Sequence, residues 1–296
     1  MASLTFQVPE NGLTYVNLVK ERCNNFISSH IWSGIDKNTL RLWLNNFVSE
    51  EEKYFAACIL DNLIYRSKEQ TSSMIYQLLT RSLPDLFRVI PPGISTSDFF
   101  ESLNGDIDPN LRFVPIINDD DPTQSGFAMS RLIRTMGYCN KKWIVNPNRV
   151  KKLVRSGLKV LVFIDDFLGT GEQFKKVADA MALGNLSREI YIVYAPLAAH
   201  ETGVKFINSK FPDVKVVTAE LLTVDSEVFR SCFDDGTNTP EAARAFYKNM
   251  LQRRKIKGKN ADRFVLDIAY SFEHGVPNNS IRILHHRKKW NQLFIR

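Results

Sequence analysis

Cysteine and histidine are scarce in this chain. Its four cysteines, Cys23, Cys58, Cys139 and Cys232, are scattered over 296 residues without a C-x-x-C pair. Neither a zinc site nor a disulfide framework is indicated, and all four read as reduced packing thiols. The five histidines show no metal-ligand spacing, and no Ser-His-Asp or Cys-His arrangement is legible. His200, past a strand end in APLAAH, reads as structural. No apolar run approaches the roughly 18 to 20 residues that a membrane span needs, and MASLTFQVPENG lacks the basic-then-apolar order of a secretory signal. A cytoplasmic protein with no membrane partner is expected. There is no G-x-x-x-x-G-K-[ST] loop, and Phe174 stands where a dinucleotide fingerprint needs glycine, so both common nucleotide motifs are excluded. Internal repeats and low-complexity segments are also missing.

What is present is an ordinary globular composition, 44% hydrophobic and 24% charged, enough apolar surface to offset the entropy of ordering the chain. The formal net charge is +7, with much of the excess near the C-terminus in LQRRKIKGK (251–259) and HHRKK (285–289). Such runs suit either a solvated face or an anionic partner.

Three parts are expected along the chain. Residues 1–90 form a helical part: VSEEEKYFAACILDNLIYRS carries a capping box at Ser49 and Glu52 followed by apolar residues at helical spacing, and a second box at Ser67 and Gln70 opens a helix that Pro84 closes. After PPG the texture alternates. The apolar runs RFVPII, KWIV, KVLVFI, EIYIVYA and VKVVTA are separated by helical stretches, including SGFAMSRLIRTMG and GEQFKKVADAMALG, which predicts an α/β core with a parallel sheet over residues 91–238. Residues 239–296 are an extension: a helix TPEAARAFYKNMLQRRK, a strand within DRFVLDIAYSF, and an amphipathic turn or short helix in KKWNQLFIR.

The stretch that carries chemistry is KVLVFIDDFLGTGEQF (159–174), where an apolar strand ends in Asp165 and Asp166 and then turns through Gly169, Thr170 and Gly171. In an open parallel sheet ligands bind beyond the carboxyl ends of the strands. Two carboxylates there can accept hydrogen bonds from vicinal hydroxyls or hold hydrated Mg²⁺. The glycines let the backbone approach a ligand, and the amides of the following helix start favour an anion. Carboxylates for a ribose and amides for a phosphate describe a ribose-5-phosphate site. Thr170 and Gln173 also fit a capping box, with Glu172 favourable to the helix dipole, so helix initiation is a second reading of the same loop.

VLVFIDDFLGTGEQ resembles the signature of the type I phosphoribosyltransferases. That resemblance implies a parallel sheet of type I phosphoribosyltransferase-like topology flanked by helices, with an N-terminal helical part and a C-terminal extension. Asp165 and Asp166 would then hold the ribose hydroxyls and the metal, as catalytic residues, while Phe167, Leu168, Gly169, Thr170, Gly171, Glu172 and Gln173 would form the substrate loop. The implied ligand is phosphoribosyl pyrophosphate or a related nucleotide with Mg²⁺, and the implied activity is that of a phosphoribosyltransferase-type transferase or hydrolase. The layout, with LRLWLNNF...LDNLIYRS, SGFAMSRLIR and VPNNSIRIL...W.QLFIR, is similar to the branch associated with bacterial conflict systems, including retron-type anti-phage operons. It implies an effector or accessory subunit of such a system, partnered by a reverse transcriptase and nucleic-acid complex or by a helix-turn-helix protein. The alternative is a catalytically inactive scaffold that binds proteins or nucleic acid through its basic C-terminal part.

A pyrophosphate loop should follow an earlier strand and open a helix, as RFVPIINDDDPTQSGFAMSRLIR does. Ser125 and Gly126 would present amides, and Arg131, with Arg134 one turn on, could reach an anion. The same arginines also suit the polar face of a helix whose apolar side carries Ala128, Met129, Leu132, Ile133 and Met136. The NDDD run (118–121) reads as a solvated loop.

Overall fold

A computed structural model describes residues 5–90, 99–105, 108–117, 125–233, 236–256 and 266–295. In chain order the elements are α1 (Gly12–Ser28), α2 (Lys37–Leu44), α3 (Glu50–Asp61), β1 (Ile64–Arg66), α4 (Lys68–Gln77), α5 (Leu83–Phe87), α6 (Phe99–Ser102), β2 (Leu111–Pro115), α7 (Ser125–Thr135), α8 (Val150–Arg155), β3 (Val160–Leu168), α9 (Glu172–Met181), α10 (Leu183–Leu186), β4 (Tyr191–His200), α11 (Glu201–Lys210), β5 (Val214–Val216), β6 (Glu220–Leu222), α12 (Val228–Cys232), α13 (Pro240–Arg253) and β7 (Tyr270–Phe272). They pack as two compact units, one made of residues 1–69 with 223–296 and the other of residues 70–222. The expected parts 1–90, 91–238 and 239–296 are consecutive lengths of chain. The packing groups residues 1–69 with 223–296 in one unit.

The unit of residues 70–222 is an α/β domain built on a five-stranded parallel sheet. Its order is β2-β3-β4-β5, with β6 also on β4. The central strands β3 and β4 are buried along almost their whole length, which is why their sequences are runs of Val, Ile, Phe and Ala rather than alternations. Along β4 the partner changes at Pro196: Ile192–Tyr194 pair with β5, and Ala198–His200 with β6. Proline has no N–H to offer a ladder, so the junction between two partners is where it costs least. One sheet face is covered by α9, through Phe163, Phe174, Val177 and Ala178 in a common apolar cluster.

Two expectations in this unit changed, and one strand is additional. KWIV is a 3-10 turn at Lys141–Trp143 followed by a single bridge, Phe113 to Ile144, rather than a strand. ELL forms the strand β6, which had not been foreseen. Pro84 does not close a helix: α4 continues through a π-helical segment, Leu78–Ser82, into α5, with Pro84 in the first turn of α5. There its missing N–H is tolerated.

The other unit is mainly helical, with β1 and β7 paired in parallel as a two-stranded sheet. The C-terminal KKWNQLFIR forms no helix among its described residues; the Leu293 and Phe294 amides both donate to the Leu284 carbonyl. The core joins residues from the two ends of the chain. The Phe55 ring stacks on Phe233 at 5.3 Å and on Tyr247 at 5.7 Å, contacts worth about 0.5–1.5 kcal/mol each beyond their burial. The indole N–H groups of Trp43 and Trp290 both donate to the Ile283 carbonyl, at 2.7 and 2.9 Å. The expected cap of α3 is present in its Ser49 half, where Ser49 Oγ accepts from the Glu52 amide, while the Glu52 carboxylate accepts from the amide of Val48, one residue ahead of the cap. Glu52 is 4% exposed and also pairs with Arg254 at 2.7 Å and Arg253 at 3.3 Å.

Candidate functional site

Strand β3 does not stop at its aspartates. It runs through them to Leu168, with Phe167 and Leu168 in register with Ala198 and Ala199 of β4. Successive strand side chains point to opposite faces, so Asp165 and Asp166 diverge. Asp165 lies on the face of Phe163, whose ring meets Phe174 of α9 edge-on at 5.5 Å. It is 1% exposed. Its Oδ1 accepts the Asp166 backbone N–H at 3.0 Å, and its Oδ2 accepts the Tyr194 hydroxyl at 3.0 Å. Asp166, on the other face, is partly exposed.

Tyr194 is fully enclosed. Burial first, and then the Asp165 charge, push its phenol well above the ordinary tyrosine range, so it stays protonated and donates at any physiological pH. Its ring stacks on Phe174 at 4.4 Å and 20°. Phe174 is the third residue of α9.

The turn after β3 is shaped by α11. Gly171 is the N-cap of α9 and has φ +85°, a left-handed conformation that favours glycine. A Cβ on it would lie 2.5 Å from Phe206 Cδ1. On α11, a Cβ on Gly203 would lie 2.1 Å from the Gly169 carbonyl oxygen. Two glycines on opposite sides of this contact let the loop backbone settle against α11. The capping box expected of Thr170 and Gln173 is not formed, because the cap is Gly171 and no cap side chain accepts from the helix. The first intrahelical bond runs from the Lys175 amide to the Gly171 carbonyl at 2.9 Å. The amides of Glu172, Gln173 and Phe174 precede it, the donors a helix start leaves for another acceptor.

The remaining expected residues divide. Phe167 and Leu168 are buried strand residues rather than loop. Thr170, Glu172 and Gln173 are partly exposed at the turn. Glu172 stands one turn before Lys175, whose pKa is raised chiefly by Asp179 and to a smaller extent by Glu172. Ser125 and Gly126 open α7 as backbone, while their side chains, and the NDDD run, lie outside the described residues. Arg131 and Arg134 are exposed, and Met129 and Ile133 bury the other side of α7. Among the described residues no group of three or more His, Cys, Asp or Glu could hold a metal. His200 is buried at the end of β4, where its Nδ1 accepts the Thr202 amide at 3.3 Å and caps α11. Tyr194, Gly203 and Phe206 carry no local signal in the sequence; only the cross-strand and helix-to-loop contacts disclose them.

The parallel α/β architecture and the acidic strand leading into a glycine-built helix start define a phosphoribosyltransferase-like protein. Residues 40–296 match the family described as PRTase-CE. The chain belongs to the PRTase-CE family. A search of curated proteins returns no match.

Proposed function

We propose that the protein binds phosphoribosyl pyrophosphate, or a related nucleotide, with Mg²⁺ at the C-terminal end of β3. The single observation that carries this reading is the partly exposed Asp166 beside a helix start whose cap is a left-handed glycine with no side chain to occupy its amides. Asp166 accepts from ribose hydroxyls, and the first-turn amides of α9 take the 5-phosphate. Mg²⁺ fits this donor set, because it is commonly held by one or two carboxylates together with ligand phosphates rather than by a protein cage. Bound there, the metal supplies charge neutralisation at the pyrophosphate. If the phosphoribosyl group is transferred to a base or to water, the bond from its C1 to the departing pyrophosphate breaks as the new bond forms, and the chain's contribution is positioning and charge stabilisation.

Titration calorimetry with phosphoribosyl pyrophosphate and Mg²⁺ tests the site. Binding is expected for the native chain, with Asp166→Asn weakening it by at least about tenfold, about 1.4 kcal/mol. Absence of heat at millimolar ligand, or equal binding by the variant, sinks the reading.

The role we assign to this binding is that of an effector or accessory subunit in anti-phage defence, on the resemblance of LRLWLNNF, SGFAMSRLIR and VPNNSIRIL to the conflict-associated branch. Phage plaque counts on cells carrying the native operon should be low and rise with Asp166→Asn. A second reading, a scaffold for structured nucleic acid, draws support from residues 223–296, which hold 14 Lys and Arg against 8 Asp and Glu, with Arg287, Lys288 and Lys289 exposed. It requires binding that weakens steeply with salt and survives Asp166→Asn.

A further inference from the structure

We propose that Tyr194 and Asp165 are positioning residues that form a buried strut under this site, joining its carboxylate side to its phosphate side without touching the ligand. The inference rests on the reading of the site given above. It starts from the division of the two aspartates by strand alternation: Asp165 is 1% exposed and turned to the α9 face, so the ligand-facing carboxylate is Asp166. Two of the Asp165 carboxylate's partners bear on the site. Oδ1 holds the Asp166 amide at 3.0 Å, which fixes the backbone from which Asp166 projects. Oδ2 holds the Tyr194 hydroxyl at 3.0 Å. Tyr194 continues the connection by stacking on Phe174 at 4.4 Å, the residue whose own amide belongs to the first turn of α9. One buried side-chain chain therefore spans from the Asp166 peptide to the helix start.

The arrangement is more than core filling. A phenylalanine at position 194 would fill the same volume and keep the stack, so the hydroxyl serves Asp165 alone. A buried carboxylate that loses a hydrogen-bond donor reorients to recover it, and reorientation of Asp165 disturbs the bond its Oδ1 makes to the Asp166 amide. The consequence falls on the ligand-binding backbone rather than on the fold.

The test uses the full chain with Tyr194→Phe, Asp165→Asn and the double variant. Calorimetry with phosphoribosyl pyrophosphate and Mg²⁺ should show each single variant weakened about tenfold, and the double variant weakened by little more than either, because coupled residues do not add. Hydrogen exchange without ligand should show faster exchange of the peptide covering residues 166–174 in Tyr194→Phe, with the rest of the sheet unchanged. Should Tyr194→Phe fail to fold, Asp165→Asn with Phe174→Leu provides the same cycle. Native affinity and native exchange in Tyr194→Phe, beside lost binding in Asp166→Asn, overturn the strut and leave the site standing. Faster exchange in a chain that does not bind the ligand at all overturns the ligand and leaves the strut. Additive losses in the double variant reduce the pair to ordinary packing and overturn the coupling.

Discussion

Two residues show how local chemistry is settled by what surrounds it. Gly171 combines a left-handed φ of +85° with a Cβ position 2.5 Å from Phe206. Gly171→Ala therefore meets backbone strain and a ring that must shift, and should lower stability by about 1–3 kcal/mol, read as a drop in thermal midpoint with a weakened ligand response. Glu52 is the second case. Burial pushes its pKa up, but the Val48 amide and the Arg254 guanidinium outweigh that and leave it below the ordinary glutamate range. A carboxylate depressed on folding stabilises the protein above its unfolded pKa, and that stability disappears as pH falls through the folded value. Thermal midpoints should fall as pH drops from about 5 to about 3, and Glu52→Gln should flatten that slope while costing about 1–3 kcal/mol near neutrality.

Among the elements, α11 decides where the glycine turn lies. Alanine normally stabilises a helix interior over glycine by about 1 kcal/mol, and on helix propensity alone Gly203→Ala would be a gain. The Gly169 carbonyl 2.1 Å from the new Cβ reverses the sign, since backbone on both sides leaves nothing soft to yield. Gly203→Ala should reduce the melting temperature and abolish ligand binding, whereas Gly184→Ala, where nothing lies within 4 Å of the added carbon, should leave both near native. Equal behaviour of the two variants would show that α11 does not seat the loop. Strand β4 acts at the same scale: its Tyr194 serves the acidic strand beside it, and its terminal His200 caps α11.

Across the whole molecule the notable fact is that one unit is assembled from both ends of the chain. Trp43, from the first segment, depends on the Ile283 carbonyl of the last, and Trp290, Leu293 and Phe294 are buried in the same core. Removal of residues 282–296 strips the indole acceptor and three large side chains at once. The truncated chain should be cut rapidly by protease within residues 1–69, as loss of a buried aromatic alone costs about 3–5 kcal/mol; native resistance to cleavage would refute that dependence. No helix among the described residues is long and apolar enough to cross a membrane.

What the residues alone determined is whatever depends on local period or local chemistry. The central strands were legible because strands buried on both faces must be continuously apolar. The start of α3 was legible because Ser49 is a good cap, and its Oγ accepts from the helix three residues on; the Thr239 cap of α13 was disclosed by the structure. The acidic turn was legible because two adjacent carboxylates followed by closely spaced glycines at the carboxyl end of a buried strand suit a ligand site. Tertiary structure alone decided the rest. Asp165 and Asp166 look like a pair in the sequence, but pairing with β4 carries the strand past them and sends them to opposite faces. Strand β6 exists because β4 exposes an edge beyond Pro196, and Tyr194, Gly203 and Phe206 owe their roles to neighbours that are distant in the chain. Such contacts leave no periodic trace, because the partner that gives each residue its meaning is not beside it in sequence.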